Sequence, residues 1–404
     1  MKVTSKYLTH YAQKEIASLK TFPTELNYES ALVIPCYNEN IKCIQNIIQN
    51  IQSHHKHLLV VVINQPEKIE NSHTQRALFE YLILQGTLIW QQDSLSLVKG
   101  NGLFDFLLVN RFQNHKINEK QGVGLCRKIG ADIVAALYDQ KRINNNWFGS
   151  TDADVLLPAN YFDVLSSLPK SEQASAIVLP FEHIQQDKSD IKIFQATQLY
   201  EKAIRYYVDG LKQAGSAYAF HTIGSIICLN VKDYCSVRGF PKRSAGEDFY
   251  LLNKLAKLSG VKTLKNTPIK IISRCSSRVP FGTGPMVKKI LSQNSLEKFE
   301  YYHPMGFELL KQVLDFMKDL NVNETNIDMR TPLTDEALQC LNLIQFPQFL
   351  QKLQQQNLSQ KQFQRQIQEW FDAFRTLKFL NILRDQFFGT LPLMQTLKSQ
   401  KSSH

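Results

Sequence analysis

Short, wholly apolar runs alternate with amphipathic stretches over the first ninety residues, and that alternation narrows the choice of fold more than any other feature of the chain. The runs at 31–35 and 58–63 are too short for buried helices and are closed by turn-forming residues, Tyr37-Asn38-Glu39 after the first and Asn64-Gln65-Pro66 after the second. Between them Ile41, Ile44, Ile47, Ile48 and Ile51 recur at helical spacing. A helical stretch at 74–85 and a third strand at 88–90 continue the pattern. Apolar strands without an exposed face, separated by helices, predict an α/β fold with a mostly parallel, doubly wound sheet. Ligands of such sheets bind at the carboxyl ends of the strands, where Asn38, Glu39 and Asn64 stand.

Residues 91–121 read as an irregular insertion with one strand at 104–109. From Gly122 the chain enters a helix ending near Tyr138. Its glycines lack the third member of a dinucleotide fingerprint and no strand leads directly in, which excludes a Rossmann cofactor site. A short helix at 158–168, a strand at 176–181, a long helix at 194–212, a strand at 223–230 and a helix at 246–258 follow. The last begins with acids, as helix N-termini prefer. A Gly/Pro-punctuated loop at 280–285 closes this region. Beyond about residue 290 the chain turns to glutamine-rich helices at 307–320 and 360–379, the latter with Phe363, Ile367, Trp370, Phe371 and Phe374 on one side. The expected organisation is a domain over 1–290, a helical region over 291–404 packed on it, and a disordered tail at 398–404.

The net charge of +11 is uneven. Residues 291–404 carry 12 basic and 12 acidic side chains, against 35 and 24 in residues 1–290. The excess field suits a phosphorylated small molecule or an anionic surface. With no Lys/Arg block and no zinc-finger or RNA-binding signature, nucleic acid is not an expected partner. The seven cysteines include no Cys-x-x-Cys pair and read as buried thiols of a reducing compartment. No apolar run approaches a membrane span of roughly 18 residues and the N-terminus lacks a signal-peptide core, so a cytoplasmic protein is expected, with peripheral membrane contact left open.

Asp152 and Asp154 carry the first chemical signal. In extended chain residues i and i+2 point the same way, so the two carboxylates converge while Ala153 turns back. Hard oxygens paired like this suit Mg²⁺ or Mn²⁺, whose shell is completed by water and phosphate. Such pairs also cap helices or face solvent. Arg127 and Lys128, after the glycine turn, either hold phosphate oxygens at a helix N-terminus or line a solvated face. Arg274 and Arg278 join two guanidiniums to a flexible loop ending in Gly282-Thr283-Gly284, suited to a diphosphate or an acidic acceptor. His183, His221 and the cluster His54-His55-Lys56-His57 are set aside as structural or exposed.

Four segments, Val33-Ile34-Pro35-Cys36-Tyr37-Asn38-Glu39, the stretch 122–132, Ser150-Thr151-Asp152-Ala153-Asp154 and Gly246-Glu247-Asp248-Phe249, resemble in order and spacing the nucleotide-sugar-dependent glycosyltransferases of the GT-A fold, in particular family-2-like inverting enzymes. The resemblance covers about residues 28–290. It implies transfer of a sugar from a nucleoside diphosphate sugar to a hydroxyl acceptor, a glycan, lipid or small molecule, with Mn²⁺ or Mg²⁺. On that reading Asp154 holds the metal, and Asp152 contacts the donor ribose or reaches the metal through water. Asp248 is the general base, ready at neutral pH because the helix dipole favours its ionised form. Glu247 orients it or binds the acceptor. Pro35, Tyr37, Asn38, Glu39 and Asn64 belong to the donor site. An amide at 64 replaces the usual acid, and the Asp-x-x-Ser-x-Asp pattern is absent, which leaves the base undefined. A nucleotidyltransferase would need a glycine-rich phosphate loop after the first strand, where Cys36-Tyr37-Asn38-Glu39 stands instead. A catalytically inactive module that binds a nucleotide sugar or a protein partner is the remaining alternative.

Overall fold

The structure, a computed structural model, describes residues 3–168, 173–185, 191–265, 268–276, 278–293, 295–324 and 327–401. Ser277 of the arginine loop and residues 402–404 of the expected tail lie outside them. The chain divides into two compact units, one of residues 1–194 with 222–286, the other of residues 195–221 with 287–404.

The first unit is built on a sheet of nine strands: β1 (Ser30–Cys36), β2 (His57–Asn64), β3 (Gly86–Gln92), β4 (Leu95–Gly100), β5 (Phe104–Arg111), β6 (Trp147–Ser150), β8 (Ala176–Val178), β10 (Ile227–Asn230) and β11 (Val261–Thr263). Their order is β11-β8-β10-β6-β1-β2-β5-β4-β3. β1 and β2 are buried along their whole length, as their unbroken apolar runs require. The central block β6-β1-β2-β5 is parallel, and so is the edge pair β11-β8. β10 runs antiparallel to β6 and β8, and β4 antiparallel to β5 and β3, so the sheet is mixed where a mostly parallel one was expected. On the β5 side the difference comes from residues 95–100, which form a hairpin strand. Its turn at Asp93, with φ 51°, carries no glycine or proline to announce it. A second, three-stranded sheet sets β12 (Ile269–Ile272) between β7 (Val155–Leu156) and β9 (Phe181–Ile184). The single strand expected at 176–181 is therefore two, in different sheets.

Helices α1 (Val3–His10), α2 (Ile41–Ile48), α3 (His73–Ile83), α4 (Gly122–Asp139), α5 (Tyr161–Ser166), α7 (Val231–Ser236) and α8 (Glu247–Ala256) complete this unit. Every residue of α4 from Gly124 to Leu137 is buried, with β1 and β2 on one side and α1 on another. That burial governs the site described below. The long helix α6 (Ile191–Gln213) and α9 (Thr283–Leu291) run from one unit into the other.

In the second unit, the C-terminal helices are α10 (Met305–Asp319), α11 (Asp335–Leu343), α12 (Phe346–Gln354), α13 (Gln360–Trp370), α14 (Ala373–Leu383) and α15 (Leu393–Lys401), with a two-stranded antiparallel sheet of β13 (Glu300–Tyr302) and β14 (Thr390–Pro392). Tyr206 of α6 packs edge-on against Phe307 at 5.5 Å. The helix expected over 360–379 is broken, because Asp372 accepts the Arg375 N–H and caps a new helix. The break leaves Phe374 48% exposed, off the stripe it was expected to join. The tail expected to be disordered from 398 is helical through Lys401. Of the seven free cysteines, five are buried as expected, while Cys43 is half-buried and Cys275 is exposed. Among the described residues no helix is long and apolar enough to cross a membrane.

Candidate functional site

The carboxyl ends of β1, β2 and β6 deliver three groups of residues to one side of the sheet. β1 and β2 run in register, Cys36 opposite Ile63, so the chain leaves them at Tyr37 and Asn64. Asn38 turns that exit with φ 52°. Asn64 is buried, and its Oδ1 has no hydrogen-bond partner among the described residues. A buried carboxamide oxygen without a donor is costly and points to a ligand or water as the missing partner. Pro35 is an interior strand residue, buried with the rest of β1.

Glu39 is 5% exposed and gathers two arginines from the segment after β12. Its Oε2 accepts Arg274 Nη1 at 3.0 Å, and its Oε1 accepts Arg274 Nη2 at 3.0 Å and Arg278 Nη1 at 2.5 Å. Arg278 also donates to the Tyr37 carbonyl at 2.6 Å. Arg274 Nε reaches Asp154 Oδ2 at 2.8 Å, so one guanidinium spans Glu39 and Asp154. The segment then passes over Gly246. With φ +71° that residue sits in the left-handed region, and a Cβ added there would meet the Phe281 ring at 3.1 Å. The arginine loop thus runs from the Glu39–Asp154 pair to the start of α8.

Both carboxylate oxygens of Asp152 accept from protein. Its Oδ2 accepts the Ser225 hydroxyl at 2.6 Å, and its Oδ1 accepts Arg127 Nη2. Arg127 is 2% exposed, and its other nitrogens donate to Glu247 Oε1 at 2.9 Å and to Ser150 Oγ at 2.9 Å. The carboxylates of 152 and 247, ninety-five residues apart in sequence, are therefore joined through a single side chain. Asp248, next to Glu247, is half-buried in the first turn of α8 and accepts the Phe249 N–H at 2.7 Å.

The electrostatics follow from burial. Asp248 is pushed up to about 7, first by desolvation and then by the Glu247 charge, with Arg127 opposing both. The expectation that the helix terminus keeps it readily ionised is corrected, since a terminus offers less than removal from water costs. Asp154 is raised to about 6, again by burial first. Arg274 pulls it down, and Asp152 and Glu39 push it up. Burial also raises Glu39 against the pull of Arg274. Three carboxylates that repel one another are what a bound cation would relieve.

Three sequence expectations change here. Arg127 and Lys128 do not face phosphate. Arg127 is consumed by three partners, and Lys128, 4% exposed, points to the other side of α4, bonding Tyr7 and reaching Asp132 at 3.2 Å. Glycines at a helix start do not reveal which face is buried. Asp152 shares both carboxylate oxygens with Arg127 and Ser225, so only their remaining lone pairs, on a side chain 33% exposed, are open to a metal. Glu247, 4% exposed, holds Arg127 and is not open to an acceptor. Ser150 and Ser225, which complete the network, are not among the site residues expected from sequence, because a serine by itself carries no sign of its partner.

Among the described residues no three His, Cys, Asp or Glu side chains are placed to hold a metal by themselves. Asp154 nevertheless fits a cation of the phosphate-bridging kind. Such an ion needs one or two protein carboxylates and takes its remaining ligands from substrate and water. Its second carboxylate oxygen has no side-chain partner among the described residues.

No family model matches the chain, and no curated protein sequence matches it either. Among solved structures it is similar to GalNAc-T7 with UDP, GalNAc and Mn²⁺, at 13% identity and a TM-score of 0.37, over 66% of this chain and 48% of that one. It therefore spans about half the length of that protein. It is also similar to S. aureus TarS 1-349 with UDP-GlcNAc, at 10% identity and a TM-score of 0.37, over 88% of this chain and 90% of that one. The same protein with UDP gives 8% identity and a TM-score of 0.35, over 93% and 92%.

Proposed function

We propose that residues 1–290 form an inverting glycosyltransferase domain of GT-A type that moves a sugar from a nucleoside diphosphate sugar to a hydroxyl acceptor. The observation that carries this reading is the convergence of Asp152 and Glu247 on Arg127, which sets the Asp-x-Asp segment and Asp248 around one site. On this reading the donor base lies over the exits of β1 and β2, with the Asn64 carboxamide as its polar partner and Tyr37 and Asn38 shaping the wall. Asp154, with Glu39 behind it, would hold Mn²⁺ or Mg²⁺ against the diphosphate, whose developing charge such an ion offsets. Arg274 and Arg278 pass from Glu39 to the diphosphate oxygens, as planar forks suit.

Asp248 takes the acceptor proton as the hydroxyl attacks the anomeric carbon from the face opposite the diphosphate. A single displacement of this kind needs one base and no covalent nucleophile, and it inverts the anomeric centre. The acceptor is a hydroxyl of a glycan, lipid or small molecule.

Incubation with UDP-, GDP- and other nucleotide sugars, with Mn²⁺, Mg²⁺ or chelator, tests the reading. At least one donor is expected to be turned over and chelator to abolish turnover. Binding of nucleotide sugars without turnover of any would favour a binding module instead. Replacing Arg274 and Arg278 together by alanine is expected to raise donor KM roughly 10- to 100-fold, the worth of charge-assisted bonds to phosphate. An unchanged KM would remove both from the donor site.

A further inference from the structure

We propose that Arg127 is a positioning residue that sets the donor-side carboxylate Asp152 and the base-side carboxylate Glu247 relative to each other, so that one guanidinium fixes the distance between the two halves of the reaction. This rests on the transferase reading above and deepens it.

The geometry is specific to arginine. Nε faces Glu247 at the start of α8, Nη1 faces Ser150 at the end of β6, and Nη2 faces Asp152 in the following loop. Three donors of one rigid plane address three separate segments, a task the point charge of lysine does not perform. The opposite wall is made to admit the fork. Gly224 stands where an added Cβ would lie 2.1 Å from Arg127 Nη2, and its neighbour Ser225 supplies the other partner of Asp152.

A purely architectural ion pair is available for contrast one residue further along α4. Lys128 and Asp132 are as deeply buried as Arg127, but they bond Tyr7 and Tyr234 and touch none of the site carboxylates. Arg127 instead touches the neighbours of both proposed reacting groups, Asp152 beside Asp154 and Glu247 beside Asp248. Fixing those neighbours fixes where the base stands relative to the anomeric carbon, and an error of about 1 Å in such a placement costs on the order of 100-fold in rate.

Arg127→Lys and Gly224→Ala test this from two directions, the first by removing the fork and the second by crowding it. The readouts are melting temperature, kcat and donor KM with a nucleotide sugar that the wild type turns over, and the pH–rate profile. For folded variants we expect kcat to fall about 100-fold with donor KM within about threefold of wild type. The acidic limb of the profile is expected to move upward, because the cation opposing Glu247 and Asp152 at Asp248 no longer sits where it did. A merely structural role predicts a lowered melting temperature with kcat per folded molecule and the limb unchanged, and that result overturns the proposal. If Arg127→Lys does not fold, Gly224→Ala, which keeps every charge, decides alone. A wild-type chain that turns over no nucleotide sugar overturns the transferase reading and this inference with it; an active wild type whose variants keep full kcat overturns only the role of Arg127.

Discussion

Asp248→Asn is expected to lower turnover by about 10³-fold while leaving donor affinity within a small factor, the signature of removing a proton acceptor used only in the transition state. The amide keeps the shape of the carboxylate and its place at the first turn of α8. The wild-type carboxyl is held at about 7 by burial and by Glu247, so near neutrality a large part of it is protonated and unable to act as base. Turnover should therefore climb as pH rises through about 7 and level off above it, and the asparagine variant should lose that limb. Stability is expected to move the other way. A carboxyl whose folded pKa lies above its unfolded value of 3.8 favours the folded state at low pH, and that contribution is lost as pH rises through the folded pKa. At pH 8 the asparagine variant should accordingly melt no lower than wild type. Full activity of Asp248→Asn, or a flat wild-type profile between pH 6 and 8, would show that another group takes the proton.

The parts of this site that could be read from sequence are those with short-range chemical grammar. The apolar runs of β1 and β2 and the isoleucine spacing of α2 each identify an element by itself, and the strand exits at Tyr37 and Asn64 follow. Asp152-Ala153-Asp154 and Gly246-Glu247-Asp248 draw attention because carboxylates cluster there. Partnership across long separations was not legible. That Arg127 spends its donors on residues 23, 25 and 120 positions away depends on how α4 lies under the sheet, and helical periodicity alone does not choose which of Arg127 and Lys128 faces the site. The direction in which Asp248 titrates is likewise not legible, because helix position is visible in sequence and desolvation is not. The strand at 95–100 escaped for a local reason: Asp93 adopts positive φ without being glycine, so the hairpin lacks its usual marker.

Asp132→Ala is expected to be the most destabilising single change among those that leave the proposed site residues intact. Asp132 is 0% exposed and is the acceptor at the centre of a closed polar cluster. Tyr7 donates to it from α1, Tyr234 from α7 at 2.8 Å, the Gln13 N–H at 2.7 Å, and Lys128 lies at 3.2 Å on its own helix. Alanine removes the carboxylate that accepts from all of them and leaves an ammonium, two hydroxyls and a backbone N–H without it in a buried space. Breaking a buried pair from one side costs about 3–5 kcal/mol, against about 1 kcal/mol for an exposed pair. At roughly 2–4 °C per kcal/mol for a unit of this size, the melting temperature should fall by about 10 °C. The deficit carries a pH signature. Burial already depresses Lys128, and Asp132 is the largest influence holding its proton on. Without Asp132 the lysine is stable in the fold mainly as the neutral amine, so lowering the pH drives protonation toward the unfolded chain, and the variant should lose more stability at pH 6 than at pH 9. A loss below about 1 kcal/mol, or one that does not grow as pH falls, would mean that Lys128 finds another partner and that α1 is held on α4 by apolar packing alone.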